Sequence, residues 1–78
     1  MRPIYQIANE IWDLWDSSKL GASPAFPYLL AMRRISKIED KYGLDDGEDI
    51  VLRFLSNASS FKGPDAVRLK KELRQHLK

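Results

Sequence analysis

The sequence predicts an all-α fold, a compact bundle of four helices with short loops, forming a single helical domain over residues 1–78. Three observations predict it. Apolar residues recur at three- and four-residue spacing in four segments, which is the period of a helix face and not the alternation of a half-buried strand. Proline or acidic residues stand near the starts of those segments, where the first N–H groups have no partner inside the helix. Small polar runs and glycines separate them, as expected of connections.

The first helix follows Pro3, a position that tolerates proline because its missing N–H would have been unpaired anyway. Ile4, Ile7, Ala8, Ile11, Leu14 and Trp15 form its apolar stripe, and Tyr5 and Trp12 widen it. The run SSKLGAS at 17–23 is short, small and polar and reads as a loop. The second helix is expected to begin near Ala25 or Phe26, with Pro27 in its first turn. Its stripe is Tyr28, Ala31, Met32, Ile35, Ile38 and Tyr42, and Gly43 suits a left-handed position just past its end. In the third helix Asp45 or Asp46 serves as N-cap, and Glu48 and Asp49 favour the positive end of the dipole. Ile50, Val51, Phe54, Leu55 and Ala58 follow, and the helix is expected to fade between Asn57 and Ser60. Gly63 and Pro64 restart the chain, and Ala66, Leu69, Leu73 and Leu77 make the stripe of the fourth helix.

Size and composition narrow the chemistry. A chain of 78 residues buries only about 60% of the surface its unfolded form exposes, so the core has first claim on large apolar residues. Hydrophobic residues at 44% and charged residues at 31% fit a folded domain. The absence of cysteine excludes a disulfide framework, a thiolate zinc site and a cysteine nucleophile. The one histidine, His76, leaves too little imidazole for a His-rich metal site or a Ser-His-Asp triad; it reads as a surface residue near a helix C-terminus. The acidic cluster Asp45, Asp46, Glu48 and Asp49 fails as a calcium loop, because Gly47 in the sixth position puts Tyr42 first. Capping and dipole compensation account for it. Paired carboxylates for glycoside hydrolysis would need a cleft larger than so small a domain provides. The expectation is a protein that is no enzyme, with no catalytic residue, no metal, no cofactor and no small-molecule substrate. No apolar run reaches the ~18 residues of a membrane span. Polar and acidic residues break MRPIYQIANE before a signal-peptide core forms. A soluble, cytoplasmic domain is expected.

Charge is uneven along the chain. The net charge is +2, yet residues 62–78 carry a surplus of four positive charges and residues 1–61 a surplus of two negative ones. In the last helix Lys70, Arg74 and Lys78 run up one edge, extended by Arg68 and Lys71, and this row is the candidate nucleic-acid face. Two features weigh against it. The helix lacks a base-reading set at its N-terminal end, and the rest of the chain is slightly acidic; a solvated basic face is the plainer account. A smaller ridge, Arg33, Lys37 and Lys41, is partly offset by Glu39 and Asp40 and reads as solvated. Tyr5 and Trp12 lie seven residues apart on one side of the first helix. The spacing leaves two fates open for them: burial under a wide apolar face, or partial exposure as interface anchors. With Asp16 they form the candidate protein interface.

The ordered segments RPIYQIANEIW, PYLLAM, YGLDDGEDIVLRFLSNASSFKG and AVRLKKEL together resemble a family of small helical proteins of unknown function from bacteriophages and actinobacteria. The resemblance spans nearly the whole chain and is most specific from Tyr42 to Leu73. It implies no enzyme activity and supplies no catalytic residue. It implies an accessory protein that acts by binding a host macromolecule. The expected function is therefore a non-enzymatic protein-binding module, with a protein partner or self-association. The runner-up is a nucleic-acid-binding domain using the basic last helix.

Overall fold

The computed structural model describes residues 1–77. Helices dominate it: α1 (Ile4–Leu14), α2 (Ser17–Leu20), α3 (Phe26–Met32), α4 (Gly47–Asn57) and α5 (Pro64–His76). Two short strands, β1 (Lys41–Tyr42) and β2 (Asp45–Asp46), pair antiparallel, Lys41 opposite Asp46 and Tyr42 opposite Asp45. α3 packs on α4, and α1 packs on both α5 and α3. Ile4, Ile7 and Ile11 of α1 meet Leu29 and Met32 of α3, Val51 and Phe54 of α4, and Leu69 and Leu73 of α5 in one core. Full burial of each such side chain contributes about 1.5–3 kcal/mol before entropy is set against it. Trp15 closes one end of the core, stacked on Phe61 at 4.9 Å between centroids and edge-on to Phe54 at 6.2 Å. Its Nε1–H is buried without an acceptor.

The helical class holds, but five helices and a pair of short strands stand among the described residues where the sequence leads one to expect a bundle of four helices, and three local expectations are corrected. The segment 17–23 is not all loop. Asp16 accepts the Ser18 N–H at 3.0 Å and starts the single turn of α2, which buries Leu20. Leu14 lies on the outside at 47% exposure, because the chain leaves the helix there and Trp15 turns inward instead. The largest difference is the second helix, which stops at Met32 rather than running to Tyr42.

That stop has a physical cause. Past Met32 the backbone tightens to three-residue hydrogen bonds, Arg34 N–H to Ala31 O and Ile35 N–H to Met32 O. The next donors, Ser36 N–H and Lys37 N–H, go to the Asp40 carboxylate at 2.8 and 3.1 Å. Those two bonds hold the Asp40 carboxyl below the usual carboxylate range. The Ser36 carbonyl in turn accepts Ile4 N–H, the first residue of α1, at 2.9 Å. A short side chain able to bond nearby backbone competes with the helix, and here it wins. Gly43, expected to end the second helix, instead takes φ +64° in the turn between β1 and β2. Gly47 opens α4 against the 37–40 loop. Its N–H donates to Asp40 O at 2.7 Å, and Glu48 N–H donates to Ile38 O at 3.1 Å. Only glycine has room there, since a Cβ would stand 2.9–3.0 Å from the carbonyl oxygens of Lys37, Ile38 and Asp40.

Candidate protein interface

Seven residues make nearly two turns of helix, so Tyr5 and Trp12 share one side of α1, and Asn9 sits between them along the axis. Tyr5 is 41% exposed. Trp12 is half-buried, tilted against Phe26 with centroids 5.9 Å apart. Arg33, the residue just past α3, lays its guanidinium 4.4 Å from the Trp12 ring centroid. Its Nε–H donates to Asn9 Oδ1 at 2.9 Å. A cation over an indole at an exposed site contributes about 0.5–1 kcal/mol. The larger effect is to fix the direction of a planar fork whose remaining N–H groups find no partner among the described residues. Beside it runs a groove of about 430 Å³ lined by Asn9, Leu30, Arg33, Arg34 and Tyr42. Leu30 and Tyr42 are both partly exposed there, at 39% and 46%.

Asp16 stands past the end of α1, at the exposed N-cap of α2. Its carboxylate accepts both the Ser18 N–H and the Ser18 hydroxyl, at 3.0 and 2.8 Å, and both bonds hold it below the usual aspartate range. Asp16 itself lines a smaller depression of about 260 Å³, with Trp15, Lys19, Ser60 and Lys62 among the other lining residues.

The basic residues of α5 are dispersed rather than gathered. Arg68 faces α1, donating to Glu10 at 2.6 Å, with Asp65 at 3.3 Å and Glu72 at 3.6 Å. Arg2 completes the ring. It binds Glu72 through two nitrogens at 2.9 and 2.6 Å and Glu10 at 2.9 Å. Hydrogen bonds from Arg68 first, and from Arg2, hold the Glu10 carboxyl below the usual glutamate range. Lys70 turns the other way, about 160° around the axis from Arg68. Its ammonium donates to the carbonyls of Ala58 and Phe61, each at 2.8 Å, satisfying acceptors at the end of α4. Burial lowers its pKa, and Arg74 adds to the effect. Lys71 and Arg74 are exposed. Lys78, the last member of the proposed row, lies outside the described residues.

His76 is a correction. It is buried at 9% exposure, and Nε2 lies 2.7 Å from the Arg2 carbonyl oxygen. A carbonyl only accepts, so Nε2 carries the proton. The side chain therefore ties the end of α5 to the segment before α1.

The sequence reading missed Asn9, Leu30, Arg34 and Tyr42 as surface residues of one groove, and it treated Arg33 as part of a solvated ridge. One signal was present. Neither Arg33 nor Arg34 has an acidic residue within four positions, unlike Arg2's partners' neighbour Arg68, which has Asp65 and Glu72. Among the described residues no group of three or more His, Asp or Glu side chains could hold a metal ion, and no helix is long and apolar enough to cross a membrane. Comparison with family models, with characterised proteins and with solved structures finds no match.

Proposed function

We propose that this chain is a non-enzymatic protein-binding module whose contact surface is the face built from Tyr5, Trp12, Arg33, Arg34 and Tyr42. One observation carries the reading. The exposed Tyr42 ring and two guanidinium groups without a carboxylate partner line one groove between α1, α3 and β1, and the half-buried Trp12 ring lies under one of those guanidinium groups. Tyrosine, tryptophan and arginine are the side chains that most often anchor protein interfaces. Arg2 and Arg68, by contrast, are committed to Glu10, Glu72 and Asp65. The reading agrees with an accessory protein that binds a host macromolecule, the role implied by the sequence resemblance, and equally with binding of a second copy of the chain.

The test is capture from a nuclease-treated lysate by tagged wild-type chain and by Tyr5→Ala and Tyr42→Ala variants, both at exposed positions. A protein retained at stoichiometric level by wild type and lost from the variants supports this face. Equal retention by all three removes it. The second reading, nucleic-acid binding through Lys71 and Arg74, rests on their exposure on α5. It predicts retained material that disappears with nuclease and an affinity that falls steeply with salt.

A further inference from the structure

We infer that the groove between α1 and α3 takes an acidic peptide segment, with a carboxylate held by the Arg33 fork and an apolar side chain laid against Leu30 and Tyr42. This rests on the binding-module reading and names its partner's chemistry. Arg33 is pre-aimed. The Trp12 ring supports its plane from below at 4.4 Å, and Asn9 holds Nε, so the two terminal nitrogens are left to meet a ligand. That edge matches the two oxygens of a carboxylate. Little rotamer freedom is left to lose when a partner arrives. Arg34 lines the same groove and brings a second positive charge.

Size and surrounding charge select among anions. The groove holds about 430 Å³, within the range of pockets that enclose whole small ligands and far more than one acid group fills. The exposed flanks of Leu30 and Tyr42 call for apolar cover that a bare anion does not supply. A long phosphate chain is disfavoured because it adds a negative charge at every unit beside Asp45, which pairs opposite Tyr42, whereas a short segment can bring a single carboxylate. Two cations also neutralise too few phosphates for useful duplex affinity at physiological salt. A short acidic segment with an apolar residue satisfies both constraints.

The experiment is selection of a displayed library of random short peptides on the full chain, followed by anisotropy titration of the enriched peptides. The expected winners carry Asp or Glu next to an apolar residue. Arg34→Gln weakens them several-fold, because the groove loses one of its two positive charges. Arg33→Lys, which keeps the charge and loses the fork, weakens them as well. Arg34 is exposed, so its variant unfolds with the wild-type midpoint and reports binding alone. Winners that are neutral or basic, or acidic winners bound equally by Arg34→Gln, overturn the acidic-partner inference. If those same peptides are lost on Tyr42→Ala, the binding-module reading still stands. No enrichment on this face sinks both. Displacement of the peptides by inorganic phosphate or oligothymidylate at lower concentration than by free acidic peptide also overturns the inference, in favour of a phosphate site.

Discussion

Gly47→Ala tests the contact that organises the middle of the chain. The new methyl would sit 2.9 Å from the carbonyl oxygens of Ile38 and Lys37 and 3.0 Å from that of Asp40. Ordinary carbon–oxygen contacts begin near ~3.3 Å, so each carbonyl has to retreat by a few tenths of an ångström. None can do so alone, because Asp40 O and Ile38 O accept the N–H groups of Gly47 and Glu48. Overpacking of this kind costs about 1–3 kcal/mol. Strain on two backbone hydrogen bonds adds part of the ~0.5–1.5 kcal/mol that each contributes. The gain from alanine's helix propensity is at most about 1 kcal/mol. The net is a loss of roughly 2–3 kcal/mol, a large share of the stability of so small a domain. The melting temperature should fall by about 10–20 °C. Urea unfolding and thermal melting, each followed by far-UV circular dichroism, measure the two. Gly21→Ala is the internal control. Gly21 has helical dihedrals and its nearest obstacle is 3.6 Å away, so alanine there should stabilise by about 0.4–1 kcal/mol. If Gly47→Ala unfolds at the wild-type urea concentration, the 37–40 loop yields freely and the account of why the second helix stops loses its support.

Lys70→Ala should cost about 1–3 kcal/mol, because the Phe61 carbonyl loses its donor and the Ala58 carbonyl keeps only the Phe61 N–H, whereas Lys71→Ala should stay within about 0.5 kcal/mol; paired urea titrations decide it, and equal effects would return Lys70 to the solvated face. His76→Ala should destabilise by about 1–3 kcal/mol by leaving the Arg2 carbonyl unpaired, and should speed proteolysis within the first three residues; unchanged protection there would refute the tie. The Glu10 carboxyl titrates lower in the folded chain than in the unfolded one. Its stabilisation is therefore complete above the ordinary glutamate pKa of ~4.3 and is lost as pH falls through the lower folded value. Melting temperatures of wild type and Glu10→Gln, measured from neutral pH downward, should converge in acid; a constant gap would show that the ring with Arg2 and Arg68 contributes nothing as charge.

Legibility followed the range of the forces. α1 and α5 could be read because their starts are local chemistry, Pro3 and Gly63–Pro64, and their apolar spacing is unbroken; α4 could be read from its spacing, although Asp46 stands at its N-cap without the expected side-chain bond and its first N–H groups go to Asp40 O and Ile38 O. The second helix was misread although its spacing is equally regular. Ile35 is buried and Ile38 partly so, but they reach the core from non-helical backbone held by Asp40, Gly47 and Ile4, contacts that periodicity does not encode. The same limit applied to the surfaces. Helix geometry alone places Lys70 and Arg74 on one edge, yet the partners that claim Lys70 come from the turn after α4, and those that claim Arg68 include Glu10, 58 residues away. Tyr5 and Trp12 were found as a pair because both lie on one helix. Arg33 joined them only through the packing of α3 beside α1.

The seam joining Arg2 to Glu72 and to His76 bridges 70 and 74 positions of sequence. Its consequence lies in the order of folding. α3 and α4 are near neighbours along the chain and close a short loop, whereas α1 and α5 must close one almost as long as the molecule, at a greater cost in chain entropy. The expectation is that α5 docks on α1 after the transition state, with the ion-pair ring as a latch on the way out; weakening the ring should then shorten the lifetime of the folded molecule and leave the speed at which it folds nearly unchanged.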